Sequence, residues 1–173
     1  MIKLVLTKRS DEQMTVFNLR NYQRSDLEEL VALFNATVQA INKKDYTEQQ
    51  IEQLVQPAPD YDKWDAVLAS TYTRIVLVGT KIIGFGNISK EGYLDHLYVS
   101  KEWIGYGAGK LLANDLIDHA FDSGAKEITV HSSLTAKSFF EKLGFRVVKQ
   151  NNDYRNGVLL LNYLMVYPKE KYI

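Results

Sequence analysis

A glycine-rich turn is the feature of this sequence with the clearest chemical meaning. Residues 104–109 read IGYGAG and lie between a predicted strand at 93–99 and a predicted helix at 108–122. Such a turn directs unpaired backbone N–H groups and the positive end of the helix dipole at one point. Because glycine has no Cβ, a ligand can come close to the backbone. The turn therefore predicts an anion site suited to phosphate or pyrophosphate, and the alternative is a tight turn that needs glycine only for its dihedral angles.

Two common phosphate motifs do not match this turn. A P-loop requires G-x-x-x-x-G-K-[ST], but Gly109-Lys110 is followed by Leu111 and Ile104 stands five positions before Gly109. A dinucleotide site requires G-x-G-x-x-G and an acidic residue at the end of the next strand. Here the spacing is G-x-G-x-G and the next strand ends in His131-Ser132-Ser133. The sequence therefore disfavours both a nucleoside triphosphatase and a nicotinamide or flavin site.

The elements that must position this turn can be predicted from hydrophobic periodicity and turn residues. Strands are expected at 15–21, 75–79, 81–89, 93–99, 127–133, 145–150 and 158–167. Helices are expected from the capping boxes Ser25/Glu28 and Thr47/Gln50, at 61–70, at 108–122 and at 135–144. This order predicts an α/β domain, with a mixed and mostly antiparallel sheet of about seven strands flanked by helices. We expect residues 1–173 to form a single domain.

Composition limits the classes of function. The chain has 21 Lys and Arg against 21 Asp and Glu, and this zero net charge argues against a general nucleic-acid binder. The absence of cysteine excludes a thiolate nucleophile and any Cys-ligated metal, and the three histidines lack metal-ligand spacing, so no metal site is expected. No apolar run suggests a membrane span or an export signal, and we expect a cytoplasmic protein.

Two segments together resemble the signatures of one enzyme family. Residues 104–109 resemble the motif [QR]-x-x-G-x-[GA], with Gly107 and Gly109 in its glycine positions, and SSLTAKSFFEKLGF at 132–145 resembles the second signature. Both are signatures of the GNAT superfamily of acetyl-CoA-dependent N-acetyltransferases. The order of elements also matches, and the segments at 19–23, 94–99 and 133–145 are most similar to the YafP-like subgroup.

The resemblance implies a binding site for acetyl-CoA between two strands. The strands at 93–99 and 127–133, the fourth and fifth of the predicted sheet, would splay apart, and the first of them would pair its backbone with the pantetheine arm. The residues that the resemblance places around the cofactor are Leu97, Tyr98, Val99, Ile104, Gly105, Tyr106, Gly107, Ala108, Gly109, Lys110, Ser133, Lys137 and Phe140. The backbone N–H near Leu97 or Tyr98 would stabilise the oxyanion.

Two positions depart from the family pattern. Ile104 stands where the superfamily usually has Gln or Arg, which removes one polar contact to the pyrophosphate. Phe140 stands where many members have a tyrosine that protonates the departing thiolate. Such a thiolate has a pKa near 8.5, as cysteine does, and leaves with little acid help. Tyr98 or Tyr93 are hypothetical substitutes for that acid.

Amine acetylation also needs a base, because an alkyl ammonium has a pKa near 10.4. Asp95 is the first candidate, since strand alternation places it on one face with Tyr93, Leu97 and Val99, where apolar neighbours would raise its pKa. The alternative is that Asp95 binds the substrate ammonium or a backbone group. His131 is the second candidate because imidazole titrates near neutral pH.

The other two histidines are expected to have structural roles. Strand alternation predicts that His96 points to the opposite face from Asp95, and His119 lies in the middle of a predicted helix. Some of Tyr22, Tyr46, Tyr61 and Trp64 are expected to line a substrate pocket.

The sequence thus favours an N-acetyltransferase that moves the acetyl group of acetyl-CoA directly to an amine of a small molecule or peptide. With no cysteine there is no thiol to carry the acetyl group. A non-catalytic module that binds or senses acyl-CoA is the alternative, since it would keep the glycine turn and lose the base. The resemblance also makes a homodimer possible.

Overall fold

The structure is a computed structural model that describes residues 3–8 and 14–171. The strands are β1 (Lys3–Lys8), β2 (Met14–Asn21), β3 (Tyr72–Val78), β4 (Lys81–Ile88), β5 (Tyr93–Val99), β6 (Glu127–Ser133), β7 (Arg146–Arg155) and β8 (Val158–Pro168). The α-helices are α1 (Leu27–Ile41), α2 (Glu48–Leu54), α3 (Tyr61–Ser70), α4 (Ala108–Asp122) and α5 (Lys137–Leu143). Within these ranges, no helix is long and apolar enough to cross a membrane.

The eight strands form one mixed sheet in the order β1-β2-β3-β4-β5-β6-β8-β7. Neighbouring strands are antiparallel except for β5 and β6, which are parallel. The predicted fold class is therefore confirmed. Strand β1, which pairs with β2 from Lys3↔Leu19 to Lys8↔Met14, is an addition that the sequence reading did not identify as a strand.

Helices pack on both faces of the sheet and hold its central strands between two apolar layers. On one face, Leu116 of α4 and Phe140 of α5 share a buried cluster with Leu94 of β5. On the other face, Phe34 of α1 packs in a second cluster with Phe85 of β4. Burial on both sides explains why these strands read as nearly continuous apolar runs.

The predicted start of the first helix is wrong. Ser25 lies in a 3-10 turn, and α1 begins at Leu27. The capping interaction expected from Ser25 and Glu28 is made by Asp26 instead. The Asp26 carboxylate accepts a hydrogen bond from the Gln23 N–H at 2.9 Å. Arg20 holds that carboxylate through two hydrogen bonds of 2.7 and 2.8 Å. A partner from β2 thus decides where the helix begins.

The other local signals that fix the ends of elements are confirmed. Thr47 Oγ1 accepts the Gln50 N–H at 3.2 Å and Gln50 Oε1 accepts the Thr47 N–H at 2.9 Å, so this capping box starts α2. The β7–β8 hairpin turns at Asn156-Gly157, with positive φ at both residues. That turn lies against α2, because Asn156 donates to the Gln53 side chain at 2.7 Å.

Candidate active site

The centre of the site is a gap between β5 and β6. The two strands pair only at Tyr93↔Thr129 and Leu94↔Val130, whereas β4 follows β5 to Val99 and β8 follows β6 to Ser133. Beyond Leu94 the two strands therefore separate within an otherwise continuous sheet. The splayed pair of strands expected from the family resemblance is confirmed.

Backbone groups of β5 line one wall of this gap. The Ser100 N–H donates to a β4 carbonyl at 2.8 Å, which sets the alternation of hydrogen bonds along the strand. By that alternation Tyr98 turns its N–H and C=O to β4, and Leu97 and Val99 turn theirs to the gap. The Thr37 hydroxyl from α1 lies 3.4 Å from the Val99 carbonyl oxygen. An extended ligand in the gap can thus pair with β5 as a strand would.

The glycine turn stands at the end of the gap where β5 finishes. Gly105 and Gly107 have positive φ angles of 84° and 93°. Gly107 is the N-cap of α4 and supplies no capping side chain, and the first intrahelical bond to it comes from the Leu111 N–H at 3.0 Å. The N–H groups of residues 108–110 thus have no partner within the helix. A Cβ built on Gly105 meets nothing within 4 Å, so the turn is open to a phosphate.

The other predicted cofactor residues surround the gap in different ways. Ile104 and Lys110 are exposed, Ala108 is buried, and Tyr106 packs on Trp103 at 5.8 Å between ring centroids. Ser133 Oγ accepts the Ala136 N–H at 3.1 Å beyond the end of β6. Lys137 already has partners, because its ammonium lies 3.7 Å from Glu141 and 4.8 Å from the centre of the Tyr163 ring.

Phe140 is not the aromatic ring nearest the glycine turn. It is 4% exposed and packs between Phe139 and Phe145 in the core. The neighbouring Phe139 is half-buried, and its ring lies 3.4 Å from the position of a Cβ on Gly109. The sequence reading missed Phe139 because the family motif draws attention to position 140.

A β-bulge at Asp95 changes the faces of β5. Asn87 pairs with His96 and Ile88 pairs with Leu94, so Asp95 is an extra residue in the ladder. Leu97 packs with the α4 cluster, whereas Tyr93 contacts His131 on the opposite face. The prediction that Tyr93, Asp95 and Leu97 share one face is therefore wrong, since a bulge shifts the alternation by one residue.

Asp95 is also more open than predicted. Its side chain is 35% exposed, and its Oδ2 lies 3.5 Å from His96 Nδ1. The prediction that Asp95 has apolar neighbours is therefore wrong. The prediction that Asp95 and His96 point to opposite faces is wrong as well, because their side chains lie close together. Asp95 follows directly after Leu94, the last residue of β5 that pairs with β6.

His96 is held as a neutral side chain. Its backbone N–H and its Nδ1 lie 2.9 and 2.8 Å from Asn87 Oδ1, and an amide oxygen only accepts, so Nδ1 carries the proton. Burial lowers the pKa of His96, and the charge of Asp95 opposes that shift. The ring stands 5.0 Å from Trp64 and 6.0 Å from Phe85 between centroids. The two hydrogen bonds from His96 to Asn87 therefore hold the bulge of β5 against β4.

We predict that Asn87→Ala destabilises the fold. Asn87 is fully buried, and alanine would leave the two N–H groups of His96 without their acceptor, whereas Thr71 Oγ1 would keep its bonds to Val67 and Thr73. Each unsatisfied group costs roughly 1–3 kcal/mol, so we expect the loss of two acceptor contacts to lower the free energy of unfolding by about 2–6 kcal/mol. Urea titration measures this, with the exposed Asn114→Ala as control. A loss equal to that of the control would contradict the proposed clamp.

Two tyrosines lie on segments that border the gap, Tyr98 on β5 and Tyr46 beside the end of β6. Tyr98 packs on Phe34 at 4.9 Å, and burial raises its pKa, with Asp95 and Tyr46 adding to the shift. The Tyr46 hydroxyl accepts the Leu134 N–H at 2.9 Å just beyond β6, and burial raises its pKa as well. Both phenols are therefore protonated at neutral pH, and the Tyr46 hydroxyl donates to the Leu161 carbonyl oxygen at 3.5 Å. Tyr46 was expected only to line a pocket, and the sequence carries no signal for this second position.

The remaining candidates lie in distinct places. The Tyr93 hydroxyl is 3.2 Å from Nδ1 of the exposed His131, and burial followed by the charge of Asp95 raises the pKa of Tyr93. His119 stacks on Tyr72 with ring centroids 3.5 Å apart, where α4 meets β3, so it lies away from the gap as expected. In the described part of the chain, no group of three or more His, Asp or Glu could hold a metal ion.

The other tyrosines expected to line a substrate pocket lie farther along α3. Tyr22 donates to Asp65 at 2.6 Å, Trp64 is buried against Phe34, and Tyr61 is exposed. Of the four residues named from the sequence, Tyr46 and Trp64 are therefore the two that approach the site, one beside the gap and the other beside His96.

Comparison with known proteins agrees with this geometry. A family model for the acetyltransferase (GNAT) domain matches residues 42–167. The chain is 34% identical to the N-acetyltransferase YafP of Escherichia coli (strain K12) over 158 residues, which are 91% of this chain and 99% of YafP.

Solved structures give the same picture. A GCN5-related N-acetyltransferase from Rhodopseudomonas palustris aligns with a TM-score of 0.82 at 31% identity, over 87% of this chain and 94% of that one. The PaiA N-acetyltransferase of Thermoplasma acidophilum, solved in complex with coenzyme A, aligns with a TM-score of 0.71 at 19% identity, over 88% and 98%.

Proposed function

This chain belongs to the GNAT family of acetyl-CoA-dependent acetyltransferases, and from that premise we propose that it transfers the acetyl group directly to a primary amine. The observation that carries this proposal is the gap between β5 and β6, with the uncapped start of α4 at one end and Asp95 at the other. The acceptor is an amine of a small molecule or peptide, and the reaction takes place in the cytoplasm without nucleic acid or membrane.

Residues 104–110 would hold the pyrophosphate of acetyl-CoA. Unpaired N–H groups at the start of a helix bind anions through hydrogen bonds and the helix dipole. Gly105 leaves open space where a side chain would stand, and Lys110 adds a nearby cation. This local field lets a chain of zero net charge bind a polyanionic ligand. The side chain of Ile104 contributes no polar contact, so the backbone carries this role.

The β5 wall would orient the pantetheine arm and stabilise the oxyanion. The groups that face the gap belong to Leu97 and Val99, and an amide of the arm can pair with them. The sequence left two oxyanion donors open, the backbone N–H groups of Leu97 and Tyr98. Hydrogen bonds alternate along β5, so the Tyr98 N–H points to β4 and not to the gap. We therefore assign the oxyanion donor to the Leu97 N–H. Preorganised donors of this kind stabilise a transition state by about 2.7–4 kcal/mol each.

Asp95 is the first candidate for the base, directly or through water, and His131 is the second. The amine nitrogen forms a bond to the acetyl carbon, the C–S bond breaks, and the base takes the amine proton. Asp95 stands where β5 leaves β6, which is the place the thioester reaches if its pyrophosphate is at the glycine turn. His131 lies one residue beyond Val130, the last residue of β6 that pairs with β5, and it contacts Tyr93.

Tyr98 would return a proton to the departing thiolate, with Tyr46 as the alternative donor. Both phenols stay protonated at neutral pH because burial raises their pKa values. Phe140 cannot donate a proton, so the acid that many family members carry at this position would come from Tyr98 or Tyr46 instead. The thiolate is itself a fair leaving group, so we expect the loss of one phenol to slow transfer without abolishing it.

We predict initial-rate patterns of a ternary complex. Because the chain has no cysteine to carry the acetyl group, double-reciprocal plots for acetyl-CoA and a primary amine should intersect. Parallel lines would indicate an acetylated enzyme and contradict direct transfer. Mass spectrometry after incubation with acetyl-CoA alone provides the check, since the protein should gain no 42-dalton adduct in one turnover time.

A further inference from the structure

An open cavity of about 520 Å³ adjoins the β5 end of the gap at Tyr93. It lies across β5, β6, β8 and β7, and its walls include Tyr93, His131, Lys149, Asn151, Arg155 and Asn162. Small-molecule sites usually measure about 300–1,000 Å³, so the cavity matches a metabolite-sized ligand. The cavity contains none of the residues of the glycine turn.

The charge of this cavity is predominantly positive. Lys149 and Arg155 contribute two cations against the single carboxylate of Asp153, which lies 3.3 Å from Arg155 Nε. Asn151 and Asn162 add side-chain amides and hydrogen-bond to each other at 3.1 Å. Within residues 3–8 and 14–171, no ion pair within 4.0 Å joins Lys149 to an acid. The walls are therefore suited to a negative group.

The cavity lies next to the end of the gap at which Asp95 stands. Tyr93 lines the cavity and stands two residues before Asp95 on β5. The His131 side chain of β6 lines the same wall, with its Nδ1 3.2 Å from the Tyr93 hydroxyl. Arg155 ends β7, and the next residue, Asn156, donates to the Gln53 side chain of α2 at 2.7 Å. The cations therefore line the cavity, and Asp95 lies two residues beyond its Tyr93 wall along β5.

The two ends of β5 separate the two ligands. Residues 93–99 form an extended strand of about 20 Å at 3.3 Å per residue. Acetyl-CoA would enter from the Val99 end, where the glycine turn lies, and the cavity opens at the Tyr93 end. A second ligand can therefore reach Asp95 without crossing the cofactor.

We propose that this cavity binds the acceptor, and that the acceptor is an amine that also carries an anionic group. The carboxylate or phosphate would lie against Lys149 and Arg155, and the amine would point to Asp95. This inference rests on the proposed acetyl transfer and adds the substrate class. A neutral amine of the same size would offer Lys149 and Arg155 no negative group and would bind less well.

Matched acceptors test the inference. The probes are β-alanine, 4-aminobutyrate and 5-aminopentanoate, each against its own amide, and 2-aminoethylphosphonate against ethylamine. We expect kcat/KM for the anionic member to exceed that of its neutral match at least tenfold at one or more chain lengths. The phosphonate pair tells whether a phosphate or a carboxylate is preferred. If no pair favours the anionic member, the inference is overturned.

Charge-removing variants test the location of the site. Lys149→Gln and Arg155→Gln should each lower the ratio of kcat/KM, anionic to neutral, at least fivefold, and the KM for acetyl-CoA should stay as in the parent protein. Both side chains are exposed on β7, and the exposed Lys126→Gln serves as the matched control. A ratio unchanged in both variants would overturn the assigned site.

Different results would contradict acetyl transfer to an amine and the preference for an anionic acceptor. Transfer to neutral amines at equal or higher efficiency leaves the proposed function intact and overturns the substrate class. Acetyl-CoA binding without transfer to any amine of the panel overturns both.

Discussion

Gly107→Val is expected to abolish the stabilisation of this protein by acetyl-CoA. In the parent, ligand at one hundred times its Kd should add about 2.7 kcal/mol, which raises Tm by roughly 5–10 °C for a chain of this size. Valine at the N-cap of α4 places a branched side chain among the N–H groups that would hold the pyrophosphate. The shift in Tm with acetyl-CoA should therefore fall to within 1 °C of zero by scanning fluorimetry.

Backbone strain needs a matched control, because Gly107 has a φ of 93° that valine rarely adopts. Gly124 lies just past the other end of the same helix with a φ of 98°, and a Cβ there meets nothing within 4 Å. Gly124→Val should lower Tm by a similar amount and keep the full shift with acetyl-CoA. If both variants keep the shift, the glycine turn does not bind the cofactor.

Local periodicity was sufficient to predict most of the fold. The alternation of 15–21 and the capping box at Thr47 act within a few residues, so a reading of the sequence finds them. Strand β1 has no such alternation, because KLVLTK is a short run with three consecutive apolar residues, and its strand conformation depends on pairing with β2 at the sheet edge. Ser25 was misread because the start of α1 depends on Arg20, a residue of another element.

The geometry of the site depends on contacts between strands, which a single sequence does not express. The segment YLDHLYV contains no glycine or proline that would mark an irregularity, yet Asp95 bulges because Asn87 of β4 holds both donors of His96. The glycines of β4 leave room for this arrangement. A Cβ on Gly84 would stand 2.7 Å from the Tyr98 carbonyl oxygen, and one on Gly86 would stand 2.9 Å from that of His96.

The family resemblance identified the gap and the turn but not the side chains that replace its usual acid. Tyr46 comes from the segment before α2 and meets the end of β6 through Leu134, 88 positions away in the sequence. No spacing rule connects such residues. Phe140 and Phe139 illustrate the same limit, since only packing tells which ring enters the core and which faces Gly109.

Asp95→Asn is expected to lower kcat for acetyl transfer at least a hundredfold, since general base catalysis usually contributes 10²–10⁴. Asparagine keeps the size and a hydrogen-bonding oxygen but cannot take the amine proton. Binding of acetyl-CoA should be unchanged by calorimetry, because the glycine turn is remote. Asp62→Asn is the control, since its side chain is 96% exposed and pairs with Arg24 at 3.2 Å on another surface.

The same substitution tests whether the carboxylate acts where the structure places it. The charge of Asp95 raises the pKa of His96 against the effect of burial, so its removal should lower that pKa further, which NMR titration of the imidazole measures. A lower His96 pKa with unchanged kcat would mean that Asp95 is in place but is not the base. His131→Asn then decides the matter, because loss of transfer in that variant alone assigns the proton to His131, whose ring is linked through Tyr93 to the same end of the gap.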